Sequence, residues 1–412
     1  MTLSEKLNSY EEDYWDFADY RENNPVIQYP AKMVAPMQRQ LLNDIMQYDA
    51  NIYNILDPFM GSGTVLDIGK ELGKDVIGFD INPLATLISR VRLEGVSTKT
   101  IEKSISELYA RLTLMLGNIS NHSFMNIEKW FRKDVIESLS LIRAAIMEEE
   151  DIRTRRFFWC CFAETVKKFS NTRTSTFKLH VKEEQKIASM INNCLEEFKS
   201  NISLHYLEYC FQNDNKVELK TGDSLQLMKT YSSDSIDLIC TSPPYGDNHT
   251  TVTYGQYSIL PLLWVDVKDL DPFNTELLTK FTAIDRESLG GRIKTISNDD
   301  RINDFIDIES QDKRKKVISF FSDYEKAFKE MARMLRKDKL LVLTLGNRRV
   351  DGKELPFDKY NDYLALKYNL AHETTLSRNI MGKRMPLKVS HIADQGAVKS
   401  MSKEYIKIYR KK

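Results

Sequence analysis

Two short stretches carry residues whose types and spacing can do chemistry. The first is Thr241-Ser242-Pro243-Pro244-Tyr245, which follows an apolar run, Ser235-Ile236-Asp237-Leu238-Ile239-Cys240. Two successive prolines cannot continue a central strand, because neither has an N–H for the ladder. The chain therefore leaves a sheet here on a stiff backbone. Ser242 Oγ and the Pro243 carbonyl are hydrogen-bond acceptors, Pro244 stiffens the exit and Tyr245 offers an aromatic face. Acceptors of this kind suit a delocalised amino group, whose nitrogen becomes nucleophilic only when its protons are gripped and its lone pair freed. The plainer alternative is a Pro-Pro turn after a strand.

The second stretch is Asp57-Pro58-Phe59-Met60-Gly61-Ser62-Gly63-Thr64, between an apolar run ending at Leu56 and a helical pattern ending at Gly73. Gly61 and Gly63 let a ligand approach the backbone closely. Asp80 ends the next apolar run, 23 residues after Asp57, at the place from which a carboxylate accepts from both ribose hydroxyls. The loop lacks the Lys-Ser/Thr ending of a phosphate cradle and puts a carboxylate at its mouth. That favours a cationic ligand over a pyrophosphate, and S-adenosylmethionine has a sulfonium, an amino group and no phosphate. Asp223, after a further strand, can accept from an adenine amino group or serve only as a turn residue. The first stretch would then stack a flipped-out nucleobase on Tyr245, with in-line positioning supplying most of the rate. Methylation at a ring carbon would need a Cys nucleophile, and Cys240 reads as a buried thiol on the strand.

Both stretches resemble the donor and catalytic motifs of amino-group DNA methyltransferases, and Thr-Ser-Pro-Pro-Tyr resembles their N4-cytosine branch. Tyr29-Pro30-Ala31-Lys32-Met33 is similar to the family segment that helps hold the methionine end of the cofactor. The resemblance covers roughly 25–95 and 215–265, with a looser match at 335–350. It implies S-adenosyl-L-methionine as cofactor, bound by Lys32, Asp57, Pro58, Phe59, Gly61, Ser62, Gly63, Thr64, Asp80, Ile81, Asp223 and Thr241. Ser242, Pro243, Pro244 and Tyr245 would be catalytic. The order departs from that of many relatives, since the donor loop precedes the catalytic motif.

Strands alternating with helices predict a Rossmann-like α/β sheet with helices on both faces and a helical insert. The expected division is an N-terminal catalytic part with the donor loop (1–97), a helical insert (98–210), the catalytic part resumed with its motif (211–265), a loop-rich insertion (266–316) and a C-terminal catalytic part (317–412). The tail from Leu364 should give a helix, a basic loop and a last strand at Tyr405–Tyr409. Within the insert, 151–182 carries eight basic residues against Asp151 and Glu164 alone. Such a run either follows a phosphate backbone or is a solvated helix face. Lys168, Asn171, Arg173 and Lys178 are its candidate DNA contacts, and His249, Tyr254 and Gln256 should line the base pocket or its lid. Segments 266–316 and 378–388 are further candidates, and Asn347 reads as a turn residue.

Lys+Arg and Asp+Glu both count 59 in 412 residues, so any DNA-binding surface must be a local patch. Five scattered cysteines form no CxxC pair and no metal-ligand spacing, as in a reducing cytosol. No apolar run approaches the ~20 residues of a membrane span, and a cytoplasmic prokaryotic enzyme without a metal is expected. The reading is a methyltransferase forming N4-methylcytosine in a short sequence of double-stranded DNA, in restriction–modification or phage defence, with a cognate endonuclease as possible partner. N6-adenine methylation, a tRNA guanine-N2 enzyme and a non-catalytic S-adenosylmethionine sensor are the alternatives.

Overall fold

The computed structural model describes all residues except 21–24, 213–214, 248–250, 293–299, 381–387, 393–395 and 400, and the backbone alone of 300, 388–392 and 396–399. Its centre is a seven-stranded sheet: β1 Asn54–Asp57, β2 Asp75–Asp80, β3 Val217–Thr221, β4 Ile236–Thr241, β5 Leu335–Gly346, β6 Leu370–Asn379 and β7 Lys403–Lys411. The strand order is 3-2-1-4-5-7-6. β1 to β5 run parallel, and β7 runs antiparallel to both β5 and β6. The chain winds from β1 towards β2 and β3, then returns across β1 to β4. Carboxyl ends of β1 and β4 therefore flank a switch point, where open α/β sheets bind ligands.

Side-chain alternation along the central strands explains why both faces are covered. Ile55, Leu238, Leu340 and Val342 face a core that includes Leu41, Leu42 and Ile45 of the helix Ala35–Tyr48. Leu56, Ile239, Leu341 and Leu343 face the other way, against Phe321, Tyr324 and Phe328 of the helix Gln311–Met334. Every residue of β4 is buried, so its exit at Ser242 is held from all sides.

Residues 98–210 are helical as their periodicity predicts, with helices at Ile101–Leu114, Lys133–Met147, Ile152–Phe169 and Cys194–His205. They share one core with Leu84, Ile88 and Val91 of the helix Pro83–Glu94 and with Ile259, Leu262 and Trp264 of the helix Tyr254–Trp264. The helical region is thus packed onto the catalytic sheet's own helices. Among the described residues, no helix is long and apolar enough to cross a membrane.

The donor stretch leads into a helix as its pattern predicts, and this helix, Thr64–Glu71, is entered through Gly63 in the left-handed region (φ 78°), which takes the cap position. Two local expectations need correction. The tail helix ends at Lys367, and β6 follows. Its pattern was hidden because an antiparallel strand at the sheet edge alternates buried and polar residues (Thr374, Leu376, Arg378) without an apolar run. Segment 266–316 contains the short helix Ala283–Glu287 and the first turns of Gln311–Met334, whose charged residues Lys313, Lys315 and Lys316 show no apolar stripe.

Asp237 stitches the amino end of the sheet. It is buried, and its Oδ2 accepts from the backbone N–H groups of Tyr53 and Asn54 at 2.9 and 3.2 Å while Arg336 donates to Oδ1. Replacing Asp237 with Ala leaves these donors without their acceptor, and urea unfolding should show a loss of about 2–4 kcal/mol.

Candidate active site

The donor loop is shaped by what its backbone must do. Gly61 and Gly63 both have positive φ, 51° and 78°, which an L side chain adopts only under strain. A Cβ on Gly63 would also stand 2.8 Å from Ser89 Oγ, and that hydroxyl donates to the Gly61 carbonyl at 3.0 Å. Gly61 N–H donates to Asp80 Oδ2 at 3.0 Å, and Asn82 N–H donates to Asp80 Oδ1 at 2.8 Å. Each carboxylate oxygen of Asp80 keeps a second lone pair for a ligand. Asn82 also caps the helix Pro83–Glu94, and its amide donates to Tyr29 Oη at 3.0 Å and Ser258 Oγ at 2.8 Å. One buried side chain thus fixes the 29–33 segment, the end of β2 and the helix Tyr254–Trp264 to each other. Pro58 is held through its carbonyl, which accepts from Ser224 Oγ.

A cavity of about 840 Å³ opens above the carboxyl ends of the strands. On one side it is lined by Tyr29, Lys32, Phe59, Gly61, Ser62, Thr64, Asp80, Ile81 and Asp223. The same cavity reaches Ser242, Pro244, Tyr245 and Tyr254. Pro243 is buried behind them. Asp223 also caps the short helix after β3, accepting from Leu225 N–H at 2.9 Å. Asp57 and Thr241 lie beneath the cavity and join its two sides, with Thr241 Oγ1 donating to Asp57 Oδ1 at 2.6 Å.

On the second side, Ser242 Oγ and Tyr245 Oη are 3.2 Å apart, and Tyr245 Oη donates to Glu404 Oε1 at 3.4 Å. Glu404 is paired with Arg378 at 3.1 Å, and both are buried in the cavity wall. The Tyr245 ring lies flat against β5 because Gly346 has no side chain. A Cβ there would come within 2.7 Å of two ring carbons. Burial pushes the Tyr245 hydroxyl well above its ordinary pKa, so it stays protonated. Arg348 lines the same wall and pairs with buried Asp247 at 3.5 Å. Sequence reasoning missed Glu404, Arg348 and Asp247, and it saw Arg378 only as part of a basic loop. No spacing pattern links Arg378 and Glu404 to the motif, because sheet pairing alone brings β6 and β7 beside it, whereas Asp247 follows Tyr245 by two residues.

Three of the eight basic residues of 151–182 pair with carboxylates from elsewhere in the chain. Arg155 pairs with Asp269, Arg156 with Glu94 and Lys168 with Glu197. Asn171 is buried, and its amide donates to the Lys129 carbonyl at 3.2 Å, which turns it away from any surface ligand. Gln256 does not line the cavity; its Oε1 accepts from Leu179 N–H at 3.2 Å and anchors the 171–182 loop. Arg173 and Lys178 are exposed on that loop, either side of Phe177 at the cavity edge. His249 lies outside the described residues, as do Lys383 and Arg384 of the tail. Asn347 donates to Glu354 and Asp358 and so has a structural part. Among the described residues, no cluster of His, Cys, Asp or Glu could hold a metal ion.

Two carboxylates under one cavity carry an electrostatic consequence. Burial raises Asp57 to about 7, against the hydrogen bonds from Thr241 and Phe59 and with a further push from Asp80. Burial raises Asp80 to about 6. The Asp57 Oδ2 atom is buried and lacks a hydrogen-bond partner. A folded-state pKa above the unfolded value of about 3.9 means that the folded form binds its proton more tightly. The stability this contributes is complete below about pH 4 and is lost as pH rises through 7. Scanning fluorimetry without ligand should therefore show Asp57→Asn gaining on the native protein between pH 5 and 8, by a few degrees at the upper end.

Comparison with known proteins agrees with this geometry. A family model of N6/N4-type DNA methylases matches residues 3–89. The chain is 32% identical over 393 residues to the Type II methyltransferase M.MvaI of Kocuria varians, covering 88% of this chain and 85% of that protein. It is 31% identical over 100 residues to the Type II methyltransferase M.MjaII of Methanocaldococcus jannaschii, covering 23% of this chain and 19% of that protein. A solved structure assigned as a DNA modification methylase of Thermus thermophilus, in complex with S-adenosyl-L-methionine, aligns over 46% of this chain and 53% of its own. Its 15% identity and TM-score of 0.24 are too low to weigh. A match at 32% identity over most of both chains, together with the family model, decides the matter: the chain belongs to the N6/N4 family of DNA methyltransferases, with S-adenosyl-L-methionine as methyl donor and DNA as substrate.

Proposed function

We propose that the enzyme methylates the exocyclic N4 of cytosine in a short duplex sequence, as the modification half of a restriction–modification or phage-defence system with a partner endonuclease. The observation that carries this reading is the single cavity shared by Ser242, Tyr245, Gly61 and Asp80. Its volume of about 840 Å³ lies towards the upper end of ordinary ligand sites, ~300–1,000 Å³, and suits a cofactor together with a base.

The residues fit the cofactor. Glycines at 61 and 63 leave the backbone open, Asp80 has lone pairs for the ribose hydroxyls, and the paired acids suit a cation. Asp57, Pro58, Phe59, Ser62, Thr64 and Thr241 shape and fix that side, with Lys32, Ile81 and Asp223 on its wall. Bound S-adenosyl-L-methionine supplies a methyl group on a sulfonium. Ser242 Oγ and the Pro243 carbonyl accept from the amino protons of the base, which frees the nitrogen lone pair towards the donor side. Tyr245 stacks on the flipped base, and Tyr254 closes the pocket near Tyr29, their rings stacked at 5.8 Å. Arg173 and Lys178 are the best-exposed phosphate contacts of the helical region. Transfer to a ring carbon lacks its nucleophile: Cys240 is buried on the far face, its thiol 3.6 Å from Gln38 Oε1, and no described residue lining the cavity is a cysteine. The relatives are DNA methyltransferases, which removes the RNA alternative. Adenine presents the same kind of amino group to the same acceptors, and the serine at 242 favours cytosine only by its resemblance to the N4 branch.

Transfer of labelled methyl to duplex DNA, followed by nucleoside digestion and mass analysis, should give N4-methylcytosine; label found solely in N6-methyladenine would overturn the base assignment. Ser242→Ala should lower kcat by about a hundredfold or more. Affinity for S-adenosyl-L-methionine, measured by calorimetry, should rise with pH from 5.5 to 8 as Asp57 and Asp80 ionise. Asp57→Asn should remove the upper part of that rise.

A further inference from the structure

We propose that Glu404 is a positioning residue that sets the direction of the hydrogen bonds reaching Ser242, and through it selects an amino group over a keto group in the base pocket. The inference rests on the reading of Ser242 as an acceptor for the base. Glu404 lies at the start of β7, where the sheet register places it beside both Gly346 of β5 and Arg378 of β6. Arg378 Nη1 donates to its Oε2 at 3.1 Å and closes an ion pair with it.

The carboxylate of that ion pair accepts, so the Tyr245 hydroxyl is the donor across the 3.4 Å contact to Oε1. That hydroxyl has one proton. Its oxygen is therefore left as the acceptor for Ser242 across 3.2 Å, and the serine proton is drawn towards Tyr245. What remains of Ser242 facing the cavity is its lone pairs. Cytosine offers an N4 amino donor at the position where thymine offers an O4 acceptor. A serine held as an acceptor grips the first and repels the second. Without the carboxylate the tyrosine proton is free to turn towards Ser242, and the serine proton then faces the cavity as a donor. Gly346 makes the arrangement possible, since the open β5 backbone lets the ring reach Glu404.

Glu404→Gln tests the direction itself. The amide oxygen can keep Arg378 while its NH2 faces Tyr245, which reverses each bond in turn. The expected result is a fall in kcat of about 10–100-fold, with KM for DNA and for S-adenosyl-L-methionine changed by less than about threefold. Tyr245→Phe keeps the ring and the Glu404–Arg378 pair but breaks the relay, and it should lose the same factor. The double variant should be no slower than the slower single variant, because both act through one hydroxyl. A wild-type kcat in either single variant, or multiplying losses in the double, overturns the proposal. Ser242→Ala separates the two levels of the reading. If it turns over at the wild-type rate, the acceptor role of Ser242 falls and this proposal with it. If it is inactive while Glu404→Gln and Tyr245→Phe are unaffected, only the role of Glu404 falls.

Discussion

The hydrogen bond from Thr241 to Asp57 is the constraint on which the active centre depends. It is short, 2.6 Å, buried, and made across the switch point of the sheet. Neither residue is on the cavity wall, yet each ends the strand from which one half of the site departs. A carboxylate in so dry a place is costly unless its oxygens are satisfied. Oδ1 is held by Thr241 and by the Phe59 N–H, while Oδ2 is buried without a hydrogen-bond partner. The bond thus joins the two motifs mechanically and holds a carboxyl group beneath the cavity whose ionisation burial delays to about pH 7.

Around that bond the molecule uses three kinds of support. Parallel pairing of β1, β2 and β4 brings the loop ends to one level. Asn82 binds three segments that sequence separates by 53 and 176 residues. Antiparallel β7 then delivers Glu404 to the far side of Tyr245. The first two are typical of a site assembled at strand ends. The third depends on the reversed strand, which is the part of the sheet that local motifs say least about.

Legibility followed the same division. The ends of β1, β2 and β4 could be read because apolar runs stop at residues with distinctive chemistry, Asp57, Asp80 and the paired prolines. The opposite side of the pocket could not. Arg378 and Glu404 look like any other charged residues on strands that also carry Lys407 and Arg410, and only the register makes them neighbours. Three ion-pair partners of 151–182 escaped notice for a related reason: Glu94, Glu197 and Asp269 are remote in sequence and adjacent in space. Asn171, polar and set among hydroxyl residues, reads as a surface side chain, but it is buried and its amide donates to the Lys129 carbonyl.

The shared core of residues 98–210 bears on how such an enzyme could change its target over evolutionary time. Phe157, Phe158 and Phe162 are sealed in one apolar body with Leu84, Ile88, Ile259 and Leu262. A helical body built this way is not a cassette. Transplanting it between relatives would bring mismatched surfaces together inside a core packed at the density of a crystal, so the boundary at 97–98 is a weak place to cut. Exposed residues on the loops that the body carries, such as Arg173 and Lys178, can change while the helices beneath stay as they are. The packing that steadies the catalytic sheet therefore also narrows the paths by which its target sequence can drift.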